Sequence, residues 1–265
     1  MGTEPDPAAA VVTVTCDDGA ALTRLLDSLE AASERALPVL VADLGSTDGA
    51  PERAERRPGV SVLRLREALP HAAAVNRAVA ELSRRPPPVA DWIAITDPGV
   101  EWSDGALDAL LAATARHPRA GALAPELRLA DGAVRPSAFE LPTVADVLRG
   151  RPFVPAPRRE DPVGWLATSC LLLRRAAWES VDGPDARHPP PYDAVDLGER
   201  LGRAGWLSVT VPSVGVTAPG PAPTSTADAG HRYALSHLPG LARPAASLVL
   251  RVSGASPVTT PGRTP

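Results

Sequence analysis

Several short stretches of this sequence carry residue types that could do chemistry. Asp17-Asp18 follows the Val-rich run AVVTVTC (10–16), Asp43 closes PVLVAD (38–43), Asp97 closes WIAITD (92–97), and Asp193 and Asp196 stand at the start of a helical run. A carboxylate in such a place can accept hydrogen bonds from N–H or hydroxyl groups, ligate a hard cation, or take up a proton. The turn after Thr96 poses the sharpest question. Thr96-Asp-Pro-Gly-Val100 carries one acid, Asp97, and Gly99 stands where a second cation ligand would be expected. Each acid also has a plain structural use, because Asp favours turns and helix-terminal carboxylates complement the helix dipole.

The elements around these acids alternate. Strands are predicted at 10–16, 38–43, 59–65 and 92–97. Helices are predicted over 21–36, with Leu22, Leu25, Leu26 and Leu29 on one face, over 71–84, and over 103–118 with Ser103 as N-cap. This pattern predicts an α/β fold: a mostly parallel sheet flanked by helices, with ligands held beyond the carboxyl ends of the strands. There the acids at strand ends, Asp43 and Asp97 among them, could meet in one cleft although they lie far apart in sequence. The second half is less regular. Two extended segments meet at Asp131-Gly132, an apolar strand leads into a helix over 163–178, and a helix over 194–206 is followed by a last strand at 207–217.

The organisation read from this pattern is a disordered lead at 1–9, one domain over 10–217, and a tail at 218–265 with a Pro-rich linker, a short helical segment near 229–252 and a disordered end. The net charge of −4, from 27 basic and 31 acidic residues, argues against a general nucleic-acid binder. All the basic side chains counted are Arg, with no Lys, and Asn76 is the only Asn. Arg therefore reflects coding bias here, and it is not by itself a sign of phosphate recognition. Cys16 and Cys170 flank apolar runs, and both are expected to be buried thiols. MGTEPDPAAA lacks a basic region, and no apolar run reaches the roughly 18–20 residues of a membrane span. The expected location is cytoplasmic, with a peripheral position at the inner face of the membrane as the variant. No Gly-x-Gly-x-x-Gly follows the first strand, which disfavours a dinucleotide-binding enzyme.

From Asp43-Leu-Gly-Ser-Thr-Asp-Gly49 onward the sequence resembles the family 2 glycosyltransferases with a GT-A fold. The resemblance continues through Ala72–Arg77, Thr96–Val100, Gly164–Arg175 and Val195-Asp-Leu-Gly-Glu-Arg-Leu-Gly-Arg-Ala-Gly-Trp206, and covers about residues 10–217. The last of these segments, with VGWL and LSVTVPS, is most similar to actinobacterial rhamnosyltransferases of cell-wall linker assembly. The resemblance implies transfer of a sugar, rhamnose among the candidates, from a nucleotide-sugar donor to a polyprenyl-linked or polysaccharide acceptor. It also implies a divalent metal, Mn or Mg, if the chain is active. By this resemblance Thr15, Asp43, Asp48 and Asn76 are the substrate-binding candidates and Asp97 the metal ligand.

Three places depart from the family pattern. Gly99 stands at the second metal-binding position. Ala194 stands at the base position, leaving Asp193 or Asp196 as substitutes. Val216-Thr-Ala-Pro-Gly220 replaces a His-containing segment, and His231 and His237 lie further on. The expected protein is therefore a family 2 glycosyltransferase with impaired catalysis. The alternative is a non-catalytic nucleotide-sugar binding protein or a partner of an active glycosyltransferase. On this reading, restoring Gly99→Asp and Ala194→Asp together should help transfer more than either change alone.

Overall fold

The computed structural model describes residues 9–65, 67, 69–84, 90–143, 145–146, 153–220 and 233. The strands are β1 (Ala9–Thr15), β2 (Val39–Asp43), β3 (Val60–Arg64), β4 (Trp92–Thr96), β5 (Glu101–Trp102), β6 (Ala120–Arg128), β7 (Val134–Arg135), β8 (Ala138–Phe139), β9 (Pro162–Val163), β10 (Trp165–Leu166), β11 (Cys170–Arg174) and β12 (Leu207–Thr217). The helices are α1 (Gly19–Ala32), α2 (Ala50–Glu55), α3 (His71–Arg84), α4 (Ala106–Ala113), α5 (Arg175–Val181) and α6 (Tyr192–Arg203).

One large sheet has the order β3-β2-β1-β4-β11-β6-β12-β5, with β7 on β6 and β9 on β12. The half that holds β3, β2, β1 and β4 is parallel. β11 then runs antiparallel between β4 and β6, which makes the sheet mixed. Successive side chains of a strand point to opposite faces, and the sequence uses both faces for burial. Ala9 and Val11 of β1, Trp92 and Ala94 of β4, and Cys170 and Leu172 of β11 pack with the leucines of α1 and α4. Ala10, Val12 and Val14, Ile93 and Ile95, and Leu171 and Leu173 pack on the other face with α3, α5 and α6. Continuous apolar strands are what a sheet covered on both sides requires.

A third cluster lies at the end of the sheet. Phe139 stacks on Trp165 with ring centroids 4.4 Å apart, Phe153 meets both edge-on, and Tyr192, Ala194, Val195 and Tyr233 complete the group. This cluster seats the first turn of α6. Gly198, one turn further along, lets that helix approach β10: a Cβ there would lie 2.6 Å from Trp165 Cβ and 2.7 Å from the Gly164 carbonyl oxygen. Gly198→Ala is therefore expected to destabilise the domain by about 1–3 kcal/mol through overpacking. Higher alanine helix propensity offsets at most about 1 kcal/mol of that. Chemical denaturation of the variant measures the balance; an unchanged or raised midpoint would show that α6 can shift freely.

Some expectations need correction. Cys170 is buried, but Cys16 is exposed, because β1 ends at Thr15 and the chain leaves the sheet there. Ser103 is not the cap of α4, which starts at Ala106 after Gly105 in the left-handed region (φ 66°). The predicted helix near 229–252, His231 and His237, and the lead up to residue 8 lie outside the described residues, apart from Tyr233. Among the described residues, no helix is long and apolar enough to cross a membrane.

Candidate active site

Asp43 and Asp97 lie at the carboxyl ends of parallel strands, as expected, whereas Asp193 and Asp196 lie in α6. Thr15 ends β1 and pairs in register with Asp43, the last residue of β2. Both are buried. Asp43 Oδ1 accepts a hydrogen bond from the Ser46 backbone N–H (2.9 Å), and the Thr15 hydroxyl has no partner among the described residues. Asp97 follows β4, on the other side of β1, so Asp43 and Asp97 flank the central strand rather than sit on adjacent ones.

Three candidates are already engaged by the protein. Asp48 Oδ1 accepts from Ala50 N–H (2.9 Å) and Oδ2 from Gly19 N–H (2.8 Å), so its carboxylate ties the start of α2 to the start of α1. Asp48→Ala is expected to cost about 0.5–2 kcal/mol, the range for losing a side-chain acceptor of N–H groups at a helix start. Nucleotide affinity should change little, and thermal unfolding together with a binding titration separates the two effects. Asn76 Nδ2 donates to the Pro184 carbonyl (2.8 Å), holding α3 against the loop after α5. Asp196 is paired with Arg200 (Nε 2.7 Å, Nη2 2.6 Å) on the next turn of α6. Asp185, His188 and Asp196 also bring ligand-type atoms close together. Asp185 is paired with Arg187 and Asp196 with Arg200, so both carboxylates of this trio already have cations.

Asp193 is placed differently. It lies in the first turn of α6, only 2% exposed, and its Oδ1 accepts from the Ala194 backbone N–H (2.9 Å). Burial pushes its carboxyl above the ordinary range, opposed by the backbone bond to Ala194 and by the nearby His71 and His188. His71, the first residue of α3, links this acid to the strand-end turn, since its Nε2 lies 3.7 Å from Asp97 Oδ1. Asp97 also has a raised pKa, caused first by burial and opposed by His71 and Arg135. The structure thus gathers Asp97, His71, Asp193 and Arg135 around one place. Neither His71 nor Arg135 was singled out from the sequence. The signal for His71 was its position just after Pro70, at the start of the helix that carries Asn76.

The turn itself is a poor cation site. A Cβ at Gly99 would lie 2.3 Å from Pro219 Cγ, so the place of the second acid is filled by the proline ring. Glu101, the next acid, pairs with Arg24 of α1 (3.0 Å). Of the turn's own acids this leaves Asp97, facing an imidazole and a guanidinium. Hard cations need several oxygen ligands, and these residues do not fit a divalent ion.

The family model described as Glycosyl transferase family 2 matches residues 10–128. The chain is also 45% identical over 230 residues to the N-acetylglucosaminyl-diphospho-decaprenol L-rhamnosyltransferase of Mycobacterium tuberculosis strain H37Rv, covering 78% of this chain and 74% of that protein. The chain belongs to the family 2 glycosyltransferases. Its fold is the GT-A fold of such enzymes. The structure of GalNAc-T7 with UDP, GalNAc and Mn2+ matches with a TM-score of 0.63 at 15% identity, over 83% of this chain and 45% of that one. The mannosyltransferase PcManGT of Pyrobaculum calidifontis, in complex with GDP-Man and Mn2+, matches at 0.57 and 19% identity, over 96% and 77%. S. aureus TarS 1–349 with UDP-GlcNAc matches at 0.59 and 14% identity, over 92% and 70%. This glycosyltransferase shares the fold of those three structures.

Proposed function

We propose that this protein transfers a sugar, rhamnose first among the candidates, from a nucleotide-diphosphate donor to a hydroxyl of a polyprenyl-diphosphate-linked N-acetylglucosamine. The observation that carries this reading is the 45% identity to a rhamnosyltransferase with that acceptor in its name, across most of both chains. In this reading Thr15 and Asp43 hold the nucleoside. Asp43 offers a charged acceptor for a base N–H or ribose hydroxyl, and the unpartnered Thr15 hydroxyl lies beside it.

Asp193 is the base. Its carboxylate takes the proton of the acceptor hydroxyl as that oxygen bonds to the anomeric carbon, and the nucleoside diphosphate leaves with the electron pair of the broken C–O bond. A base works best with a pKa near the operating pH, and the burial of Asp193 moves it in that direction. Asp196, held by Arg200, braces the helix instead. The Mn2+ named with two of the fold's solved structures supported the expectation of a divalent ion. The residues of this turn do not fit one, so no step is assigned to it. A polyprenyl acceptor would place the protein peripherally at a membrane surface.

The test is a panel of nucleotide sugars offered to the purified chain with a short-chain N-acetylglucosaminyl-diphospho-polyprenol, read by mass spectrometry of the lipid. A rhamnose-extended product is the expected result. Nucleotide binding with no product from any donor would favour the non-catalytic binding protein.

A further inference from the structure

We infer that Arg135 is a built-in cation for the donor diphosphate, standing where the fold would otherwise use a metal ion, so that nucleoside-diphosphate binding by this chain does not require a divalent ion. The inference rests on the placement of the donor in the cleft described above.

Arg135 lies on β7, beside Leu127 of β6. Its guanidinium is held by two neutral acceptors. Nη1 donates to the Pro219 carbonyl (3.0 Å), and Nη2 donates to the Ser169 hydroxyl (3.2 Å). A guanidinium has five N–H donors, and Nε is buried without a partner. Burial disfavours its charge, and the nearby Asp97 favours it. Arginine remains charged regardless. No ion pair of Arg135 is formed among the described residues. Its hydrogen bonds go only to neutral groups, with Asp97 near but not bonded to it, so N–H capacity remains for an anionic ligand.

The surroundings say where that anion belongs. Pro219, whose carbonyl holds Arg135, is the same residue whose ring fills the space above Gly99. Ser169, the other anchor, accepts the Asp97 backbone N–H at its carbonyl (2.9 Å). Both anchors thus fix the guanidinium against the turn at 97–99, at the carboxyl end of β4, where this fold class binds its ligands. Position 99 carries no acid, and Arg135 is tied to this turn through Pro219 and Ser169. A metal ion needs acidic ligands to bring positive charge to a diphosphate; a guanidinium carries the charge itself and matches phosphate oxygens with paired N–H groups. A guanidinium fixed there would meet the charge that builds on the leaving diphosphate.

The test is a calorimetric titration of the full chain with UDP, GDP and dTDP, each in EDTA and in excess Mn2+. The expected result is binding of at least one nucleotide, with Kd values in the two conditions within about 3-fold. Arg135→Gln should weaken that binding in EDTA by about 10–100-fold, the range of a lost charge-assisted hydrogen bond of about 1.5–3 kcal/mol. Arg135→Lys, which keeps the charge and loses the paired geometry, should recover part of the loss. A brace between Pro219 and Ser169 would instead make lysine and glutamine equally poor and lower the melting temperature of both. That pattern would overturn the inference. So would binding that appears only with Mn2+, or binding indifferent to Arg135→Gln, and in those cases the glycosyltransferase reading would stand. Metal-free, Arg135-dependent binding without sugar transfer would uphold the inference and reject that reading. No nucleotide binding in either condition would remove both.

Discussion

Asp193→Asn is expected to lower the rate of sugar transfer by about 10²–10⁴-fold, the usual contribution of a positioned general base, while making the folded protein more stable at neutral pH. The two effects share one cause. Asp193 is buried in the first turn of α6, and burial raises its carboxyl above the ordinary value of 3.8. Between that value and the higher folded one, the native state keeps a proton that the unfolded chain has released. Stability is therefore full below the unfolded pKa and falls as pH rises through the folded pKa. Asparagine is neutral throughout and can still accept the Ala194 N–H with its side-chain oxygen. The variant should lose that slope and melt higher than the parent at pH 7, with the gap closing in acid. The parent's kcat/KM should rise with pH along a limb displaced upward from 3.8, because only the ionised base accepts a proton. Melting curves across pH and initial rates with the lipid acceptor measure both effects. A variant that transfers sugar at the parent's rate would dismiss Asp193 as the base, whatever its stability.

Sequence reasoning reached the sheet and the strand-end acids because their causes are local. β1, β4 and β11 read as apolar runs since both faces of the sheet are covered, and β12 was expected at the bounds it has. Asp43 was legible as an acid closing an apolar run, whereas Thr15 entered only through the family resemblance. The other half of the site depends on distant pairings. Arg135 sits in an ordinary hairpin, ADGAVRPSA, and is tied to the turn at 97–99 only because β12 returns beside β6 and delivers Pro219, 84 positions later, to its guanidinium. His71 looked like a helix-start residue and gained significance from Asp97, which the register of β4 brings near it. Asp48 and Asp196 were read by residue type, but type could not reveal that backbone N–H groups and Arg200 already occupy their oxygens.

The same packing reverses an expectation drawn from the family pattern. Putting acids back at positions 194 and 99 is now expected to weaken the protein rather than repair it. Ala194 is 2% exposed, clustered with Phe139, Trp165, Tyr192, Val195 and Tyr233. A carboxylate there would enter this apolar cluster next to the acid of Asp193. An uncompensated buried charge typically costs about 3–5 kcal/mol, and at about 2–4 °C per kcal/mol for a domain of this size the melting temperature should fall by roughly 6–20 °C. Protonation would relieve part of that cost, so the deficit should shrink as pH is lowered. Gly99→Asp fails for a different reason. Its backbone is not in the left-handed region, so conformation is no obstacle, but the new Cβ would meet Pro219 Cγ at 2.3 Å. Forcing that contact should cost about 1–3 kcal/mol, and Pro219→Ala should recover part of it, a coupling that a double-mutant cycle isolates. The decisive variant carries both acids. If it melts with the parent and gains Mn2+-dependent transfer, then positions 99 and 194 can accept acids that serve the reaction, and the closed turn is wrong.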